Sequence, residues 1–277
     1  MANSNKSPEQ FPQLSRRELI RLGGIGLIST SFLAACGTQS GLTSEKAIAS
    51  IGIVPSIPTT DKAEITDTVL LRTAASFEYN VIDMYTTALS DGMFTGDFSG
   101  VTPIARRFKE NHQTHAAELN SLVVALGGIA HNCANTRVDS LYVKPAFDLI
   151  TAEGNPDLAR DTVTLAHSLE TLSAQMYQGF VRSLSEPKLR GDAIHIGQSS
   201  ARRAVILAQV LNPGLSGVVP STETTTAKAN VVAVPTAFGS LSILHAAFGL
   251  PNADGVKTTI AMETPSLNAM IYDFVTC

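Results

Sequence analysis

A motif that occurs twice constrains the fold of this chain more strongly than any other feature. Ser-Phe-Glu-x5-Met-Tyr at residues 76–85 recurs as Ser-Leu-Glu-x5-Met-Tyr at residues 168–177, an offset of 92 residues. Apolar residues around both copies recur at spacings of three and four, which is typical of amphipathic helices. The repeat therefore predicts two copies of one helical unit, each carrying a glutamate in the middle of a long helix.

Four long helices in two hairpins are predicted from the same periodicity and from helix-breaking residues. The helices are expected at about 64–89, 103–126, 157–184 and 190–211, with Gly and Pro residues between them. A long irregular connection at 129–155 separates the two hairpins. Four helices joined in this way form an all-α bundle with one long crossover, and we expect that domain to span 61–213.

A glutamate in the middle of the first and third helices of a duplicated hairpin resembles the ferritin-like superfamily, in particular the exported ferritin-like domain proteins of bacteria. The resemblance covers about residues 65–211 and implies a ferritin-like four-helix bundle. It also implies that the first and third helices each provide a glutamate, while the second and fourth each provide a Glu-x-x-His pair, which together hold two iron or manganese ions. In this chain the two glutamates are Glu78 and Glu170.

The second and fourth helices depart from that pattern. The second helix carries His112 and His115 where Glu-x-x-His is implied, and the fourth carries Ser200 and Arg203 at the two corresponding positions. Serine and arginine are not ordinary ligands of iron or manganese. A complete dinuclear site is therefore not expected.

Polar side chains on all four helices are predicted to meet in the core of the bundle. They share inward positions of the apolar periodicity and comprise Glu78, His112, His115, His167, Glu170, Ser200 and Arg203. A lone buried charge costs on the order of several kcal/mol, so the cluster must be paired, metallated or hydrated. Tyr85 and Tyr177 are expected to be core residues whose hydroxyls donate hydrogen bonds. Three further histidines lie outside the inward series and are expected at the surface or in caps: His131, His195 and His245.

Two interpretations of this cluster remain open at the level of the sequence. In one, the two glutamates and His115, together with His112 or His167, bind a single iron, manganese or zinc ion. In the other, no metal is bound, and Arg203 provides the positive charge that pairs with one or both carboxylates. A bound metal favours an oxidoreductase acting on peroxide or oxygen. Because Ser200 and Arg203 replace two metal ligands, the leading hypothesis is a binding or structural role without turnover.

The N-terminus carries the marks of bacterial export and lipidation. Ser-Arg-Arg-Glu-Leu-Ile at 15–20 precedes an apolar run, as in signals for twin-arginine (Tat) export. Leu-Ala-Ala-Cys at 33–36 resembles the recognition box of bacterial lipoproteins, which implies cleavage before Cys36 and a lipid on its sulfur. We therefore expect a Tat lipoprotein signal peptide at 1–35 and a flexible tether at 36–60. The mature protein is expected outside the cytoplasm, anchored to the cell membrane or to the inner face of an outer membrane.

Charge and cysteine content narrow the range of partners. The net charge of the chain is −4, and removal of the basic signal leaves about −6, which argues against a nucleic-acid partner. The lipid on Cys36 is the predicted link to the membrane, and the sequence identifies no protein partner. Cys133 and Cys277 remain as a pair in an oxidising compartment, where a disulfide is expected. Two separate buried thiols are the alternative.

The C-terminal segment, 214–277, is expected to be a small irregular extension packed on the bundle. Within it, residues 236–248 have a short helical pattern, and residues 271–277 have the composition of an extended segment.

Overall fold

The computed structural model describes residues 65–213, 243–265 and 277. The signal peptide predicted at 1–35 and the tether predicted at 36–60 lie outside the described residues and stay predictions. Along the described helices, no stretch combines the length and the apolar character that a membrane span requires.

Four long helices dominate the described part of the chain and confirm the predicted all-α, four-helix fold. In chain order the helices are α1 (Asp67–Ser90), α2 (Val101–Ala125), α3 (Thr136–Val138), α4 (Lys144–Ile150), α5 (Leu158–Val181) and α6 (Pro187–Leu211). A short 3-10 turn, Gly96–Phe98, lies between α1 and α2. The most extensive packing is of α1 against α2 and of α5 against α6, so each copy of the repeat forms one hairpin. The two hairpins meet mainly where α1 packs on α5.

Local signals account for where the long helices begin. The Thr66 side chain accepts a hydrogen bond from the Val69 amide at 3.3 Å and caps α1. Pro103 lies in the first turn of α2, where the amide of an ordinary residue would lack a partner within the helix. The sequence predicts the last long helix from about residue 190, but α6 begins at Pro187, because the fixed φ of proline suits the first position of a helix.

The connection between the two hairpins is more regular than the sequence predicts. Residues 129–155 are expected to be irregular, yet they contain α3, a π-helical turn (Asp139–Val143) and α4. The Asn135 side chain accepts hydrogen bonds from the amides of Arg137 and Val138 and so caps α3. Each of these elements is only one or two turns long, which is too short for a periodic apolar pattern to show in the sequence.

A buried asparagine pair fastens this crossover to α1. Asn80 Nδ2 donates to the Asn135 carbonyl oxygen at 3.1 Å, and the Asn135 amide donates to Asn80 Oδ1 at 3.0 Å. Both side chains are buried. Because a buried polar group left unsatisfied costs about 1–3 kcal/mol, this reciprocal pair fixes where the crossover lies on the bundle.

The described part of the C-terminal extension contains a two-stranded antiparallel sheet and is not irregular. Strand β1 (Leu244–Phe248) pairs with strand β2 (Thr258–Met262). The helical pattern predicted at 236–248 is therefore wrong for 244–248, because a segment this short fits both the helical period and the strand period. Residues 236–242 of that pattern, and residues 271–276 of the predicted extended end, lie outside the described residues.

A buried aspartate at the start of α5 holds this sheet against the bundle. Oδ2 of Asp161 accepts a hydrogen bond from the Gly249 amide at 2.8 Å, and Oδ1 lies 2.6 Å from Lys257 Nζ. Gly249 has a φ of 80°, and a Cβ there would lie 2.9 Å from the Leu149 carbonyl oxygen. The turn after β1 therefore requires glycine.

The predicted disulfide is present in the structure. It joins Cys133, in the crossover, to Cys277, the last residue, with the two Cα atoms 5.6 Å apart. The end of the chain is thus attached to the crossover independently of the sheet.

Candidate functional site

Two buried glutamates lie in the core of the bundle, one in each repeat. Glu78 on α1 and Glu170 on α5 are both 0% exposed. The Tyr177 hydroxyl donates to Glu78 Oε1 at 2.6 Å, and the Tyr85 hydroxyl donates to Glu170 Oε1 at 3.1 Å. Each tyrosine thus reaches the glutamate of the other repeat. The predicted hydrogen-bonding role of the tyrosines is confirmed, and the duplicated motif forms a reciprocal pair of contacts.

His112 of α2 lies between the two carboxylates. Its Nδ1 is 2.5 Å from Glu78 Oε2, and its Nε2 is 3.0 Å from Glu170 Oε1. Ionised carboxylates only accept hydrogen bonds, so both ring nitrogens carry a hydrogen when both contacts are made. Burial by itself would lower the pKa of His112, but the charges of Glu170 and Glu78 outweigh burial and raise the pKa to about 9. The ring is therefore an imidazolium ion at neutral pH.

Arg203 of α6 provides a second positive charge, as one of the two interpretations of the sequence expects. Its Nε lies 3.0 and 2.9 Å from the two carboxylate oxygens of Glu170, and its Nη2 donates to Ser200 Oγ at 2.9 Å. Ser200 Oγ is in turn 2.9 Å from Ser173 Oγ. The serine and arginine that replace the implied Glu-x-x-His pair therefore both bind side chains of the protein.

The charges of this network cancel among the side chains that the structure describes. Burial would raise the pKa of both glutamates, but neighbouring histidine and arginine side chains more than reverse that effect. His112 and His115 lower the pKa of Glu78, while His112 and Arg203 lower the pKa of Glu170, so both carboxyls are ionised. Two carboxylates, one guanidinium and one imidazolium carry no net charge. Such a paired cluster avoids the cost of an uncompensated buried ion.

His115 adds a candidate metal ligand that this network leaves without a hydrogen bond. Its Nδ1 is buried, has no hydrogen-bond partner among the described residues, and lies 3.6 Å from Glu78 Oε2. Ligand atoms of Glu78, His112 and His115 all lie within 4.8 Å of one another. The His115 side chain keeps 12% exposure, whereas the other two are fully buried. One carboxylate and two imidazoles suit iron, manganese or zinc, so the triad fits one metal ion.

The other two predicted ligands are not brought into this triad. Glu170 is engaged by Arg203, and a second cation about 4 Å from the guanidinium would be repelled by about 4 kcal/mol at an effective dielectric of 20. His167 is buried on α5, its Nδ1 has no hydrogen-bond partner within the described ranges, and burial lowers the pKa of its ring to about 4. His167 is therefore a neutral core histidine. The residues present fit one metal ion but not two.

Two small residues between α5 and α6 shape the site and are missed by sequence reasoning. Ser173 lies one turn after Glu170, and its hydroxyl is hydrogen-bonded to that of Ser200. Its inward position fits the same spacing of three and four residues that the apolar positions of α5 follow. Gly197 allows α6 to approach α5, since a Cβ there would lie 2.9 Å from Tyr177 Cβ. Spacing along one helix does not show how closely a neighbouring helix approaches, so no sequence signal identifies this glycine.

The expectation for His131 is wrong, while the other two outlying histidines lie where they are expected. His195 and His245 are exposed. His131 is only 2% exposed, and its Nε2 lies 3.5 Å from the sulfur of Cys133. The only feature of the sequence that could have predicted this buried position is that His131 lies two residues before Cys133.

Comparison with protein families agrees with this geometry. The family model described as "Ferritin-like domain" matches residues 66–213, which is more than half of the chain. The chain belongs to the ferritin-like domain family. Comparisons with curated proteins and with solved structures found no match.

Proposed function

We propose that this chain is a lipid-anchored ferritin-like protein outside the cytoplasm that binds one metal ion, and that its role is binding or structural without turnover. The observation that carries the proposal is the contact of Arg203 Nε with both oxygens of Glu170. A guanidinium there takes the place of a second cation. With Glu170 occupied by Arg203, the ligands that remain from the ferritin-like pattern are those of the triad, which fits a single ion.

Three side chains are proposed to hold the ion: Glu78, His112 and His115. An ion bound there supplies Lewis-acid or redox chemistry, and the donor set suits iron, manganese or zinc. The Tyr177 hydroxyl orients the Glu78 carboxylate by its 2.6 Å hydrogen bond. For His112 to become a ligand, one ring nitrogen must lose its hydrogen, so protons compete with the metal and binding strengthens as the pH rises.

Metal analysis of the full chain, purified without chelators and dialysed at about pH 8, tests the single-ion site. We expect about one equivalent of iron, manganese or zinc in the native protein and loss of at least about tenfold in affinity in Glu78→Gln and in His115→Ala. Glu110→Gln is the matched control, because Glu110 is an exposed glutamate on the same helix as the two histidines. Two equivalents, or metal retained in Glu78→Gln, contradicts the proposal. Failure to load metal in the folded native protein leaves the Arg203 network as a purely structural core.

A second candidate function, a metal-dependent oxidoreductase acting on peroxide or oxygen, is favoured by one observation. The two buried tyrosine hydroxyls each touch a carboxylate of the network, and phenols are oxidisable groups next to the proposed ion. Peroxide consumption by the metal-loaded protein, lost in Tyr177→Phe while metal content is kept, supports this candidate. Unchanged consumption in Tyr177→Phe assigns the tyrosine to orientation only.

The proposed location is supported by the twin arginines and the Leu-Ala-Ala-Cys box at 33–36. We expect Cys36→Ser to move the protein from the membrane fraction to the soluble extracytoplasmic fraction, because the lipid is the proposed anchor. Cell fractionation and immunoblotting in a bacterial host with a Tat pathway measure the distribution. Cys133→Ser, which removes a different cysteine, is the control and should stay with the membrane. A Cys36→Ser protein that remains membrane-bound contradicts lipid anchoring.

A further inference from the structure

A second group of metal-ligating side chains lies apart from the core triad, at the disulfide. His131, Cys133 and Cys277 offer one ring nitrogen and two sulfurs, all within 4.8 Å of one another. His131 Nε2 is 3.5 Å from Cys133 Sγ, and His131 Nδ1 is 3.9 Å from Cys277 Sγ. In the oxidised protein the sulfurs are bonded to each other and are poor ligands, because metals bind the thiolate form.

The backbone of His131 is held in place by the bundle. The Asn120 side chain on α2 binds the backbone of His131 in both directions, with Nδ2 donating to the carbonyl oxygen at 2.9 Å and Oδ1 accepting from the amide at 2.8 Å. Asn120 Nδ2 also donates to Asn132 Oδ1 at 3.0 Å. The backbone of His131 is therefore held near the sulfurs by contacts that do not involve the disulfide.

We propose that the reduced protein binds one zinc-like divalent ion through the thiolates of Cys133 and Cys277 and the imidazole of His131. In a tetrahedral site with Zn–S near 2.3 Å and Zn–N near 2.0–2.1 Å, a sulfur and a nitrogen ligand lie about 3.6 Å apart. The separation of 3.5 Å between Cys133 Sγ and His131 Nε2 matches that edge. Three protein ligands leave one open position for water, as in zinc sites that combine two cysteines with one histidine.

The site forms by a balanced exchange with a dithiol reductant. The reductant transfers two electrons and two protons and closes its own disulfide, while the Cys133–Cys277 bond breaks and each sulfur gains one hydrogen. Binding of the divalent ion then releases both thiol protons. Cys277 is exposed, so the disulfide is open to attack by such a reductant.

The disulfide and the metal are therefore alternative ways to attach the end of the chain to the crossover. If the protein folds in the cytoplasm before the proposed Tat export, it passes through a reducing compartment, where thiols are favoured over disulfides. The site at the sulfurs does not depend on that route, nor on metal binding in the core.

Cobalt titration of the full chain tests this site, because a sulfur-to-cobalt charge-transfer band in the near ultraviolet appears only when thiolates are ligands. Every sample carries Cys36→Ser, so the thiols present are those of Cys133 and Cys277. After reduction with a phosphine, we expect the band to appear, to reach the intensity of one thiolate-bound Co²⁺ per chain at saturation, and to be displaced by Zn²⁺. The same protein with its disulfide intact should give no band.

Variants separate this site from the core site and from misfolding. Cys277→Ser, at the exposed end of the chain, should weaken Co²⁺ binding in the reduced protein by more than about tenfold, and so should His131→Gln. His245→Gln, a change at an exposed histidine, and Glu78→Gln, in the core triad, should leave the band unchanged. Absence of the band in the reduced protein, or a band that survives Cys277→Ser, overturns the proposal.

Discussion

Replacement of Arg203 by methionine is expected to lower the free energy of unfolding by about 3–5 kcal/mol, because it leaves two buried carboxylates with only one buried cation, His112. The Arg203 side chain is 6% exposed and Glu170 is 0% exposed, so solvent cannot take over the lost pairing. Methionine keeps much of the volume and the apolar contacts of the side chain. Chemical denaturation of the metal-free protein, followed by circular dichroism, measures the loss.

Arg202→Met on the same helix is the matched control for this experiment. Arg202 is exposed and adjacent to Arg203, so it tests the same change of residue without the buried ion pair. Surface changes of this kind usually alter stability by no more than about 0.5 kcal/mol. An equal effect of the two substitutions contradicts a buried Arg203–Glu170 pair. A gain of metal binding in Arg203→Met would further support the view that the guanidinium occupies the place of a second ion.

The stability of the metal-free protein is expected to pass through a maximum near pH 6.5, where two buried histidines act with opposite signs. The pKa of His112 is raised to about 9 in the folded state, so its contribution is complete below about 6.5 and is lost as the pH rises towards 9. The pKa of His167 is lowered to about 4, so its contribution is complete above about 6.5 and is lost as the pH falls towards 4. Each of these two losses, on the alkaline limb above pH 6.5 and on the acid limb below it, amounts to about 3 kcal/mol of the free energy of unfolding.

Below about pH 4.5 the two glutamates steepen the acid limb, because their lowered pKa values stabilise the fold only while the carboxyls of the unfolded chain are ionised. Urea denaturation at a series of pH values, with a chelator present, gives the profile. His112→Gln should flatten the alkaline limb, and His167→Gln should flatten the upper part of the acid limb. His195→Gln, an exposed control, should keep both limbs. A native profile that is level between pH 6.5 and 9 excludes an imidazolium at position 112.

The long helices were predictable because each contains many turns of one apolar period. The repeat around Glu78 and Glu170 placed both carboxylates in the core, although α6 begins at Pro187 and not near residue 190. The crossover and the strand at 244–248 were not predictable in the same way. Those elements are short, and they are stabilised by contacts with distant residues such as Asn80 and Asp161.

The composition of the core cluster was predictable, but the pairing within it was not. Periodicity shows which face of a helix a side chain occupies, and it correctly directed His112, His115 and Arg203 inward. It does not show which residue on a neighbouring helix that side chain meets. Only the packed structure shows that Tyr85 reaches Glu170 and that His112, not His167, lies between the two carboxylates.

Because the charges of the core network cancel, folding and metal binding can be separate steps for this protein. Many small metalloproteins cannot fold until their ion arrives, since unpaired ligands would otherwise repel one another. Here Arg203 and the imidazolium of His112 already neutralise the two carboxylates. Folding therefore does not require an ion, and the proposed binding of a metal would be a later and separate step.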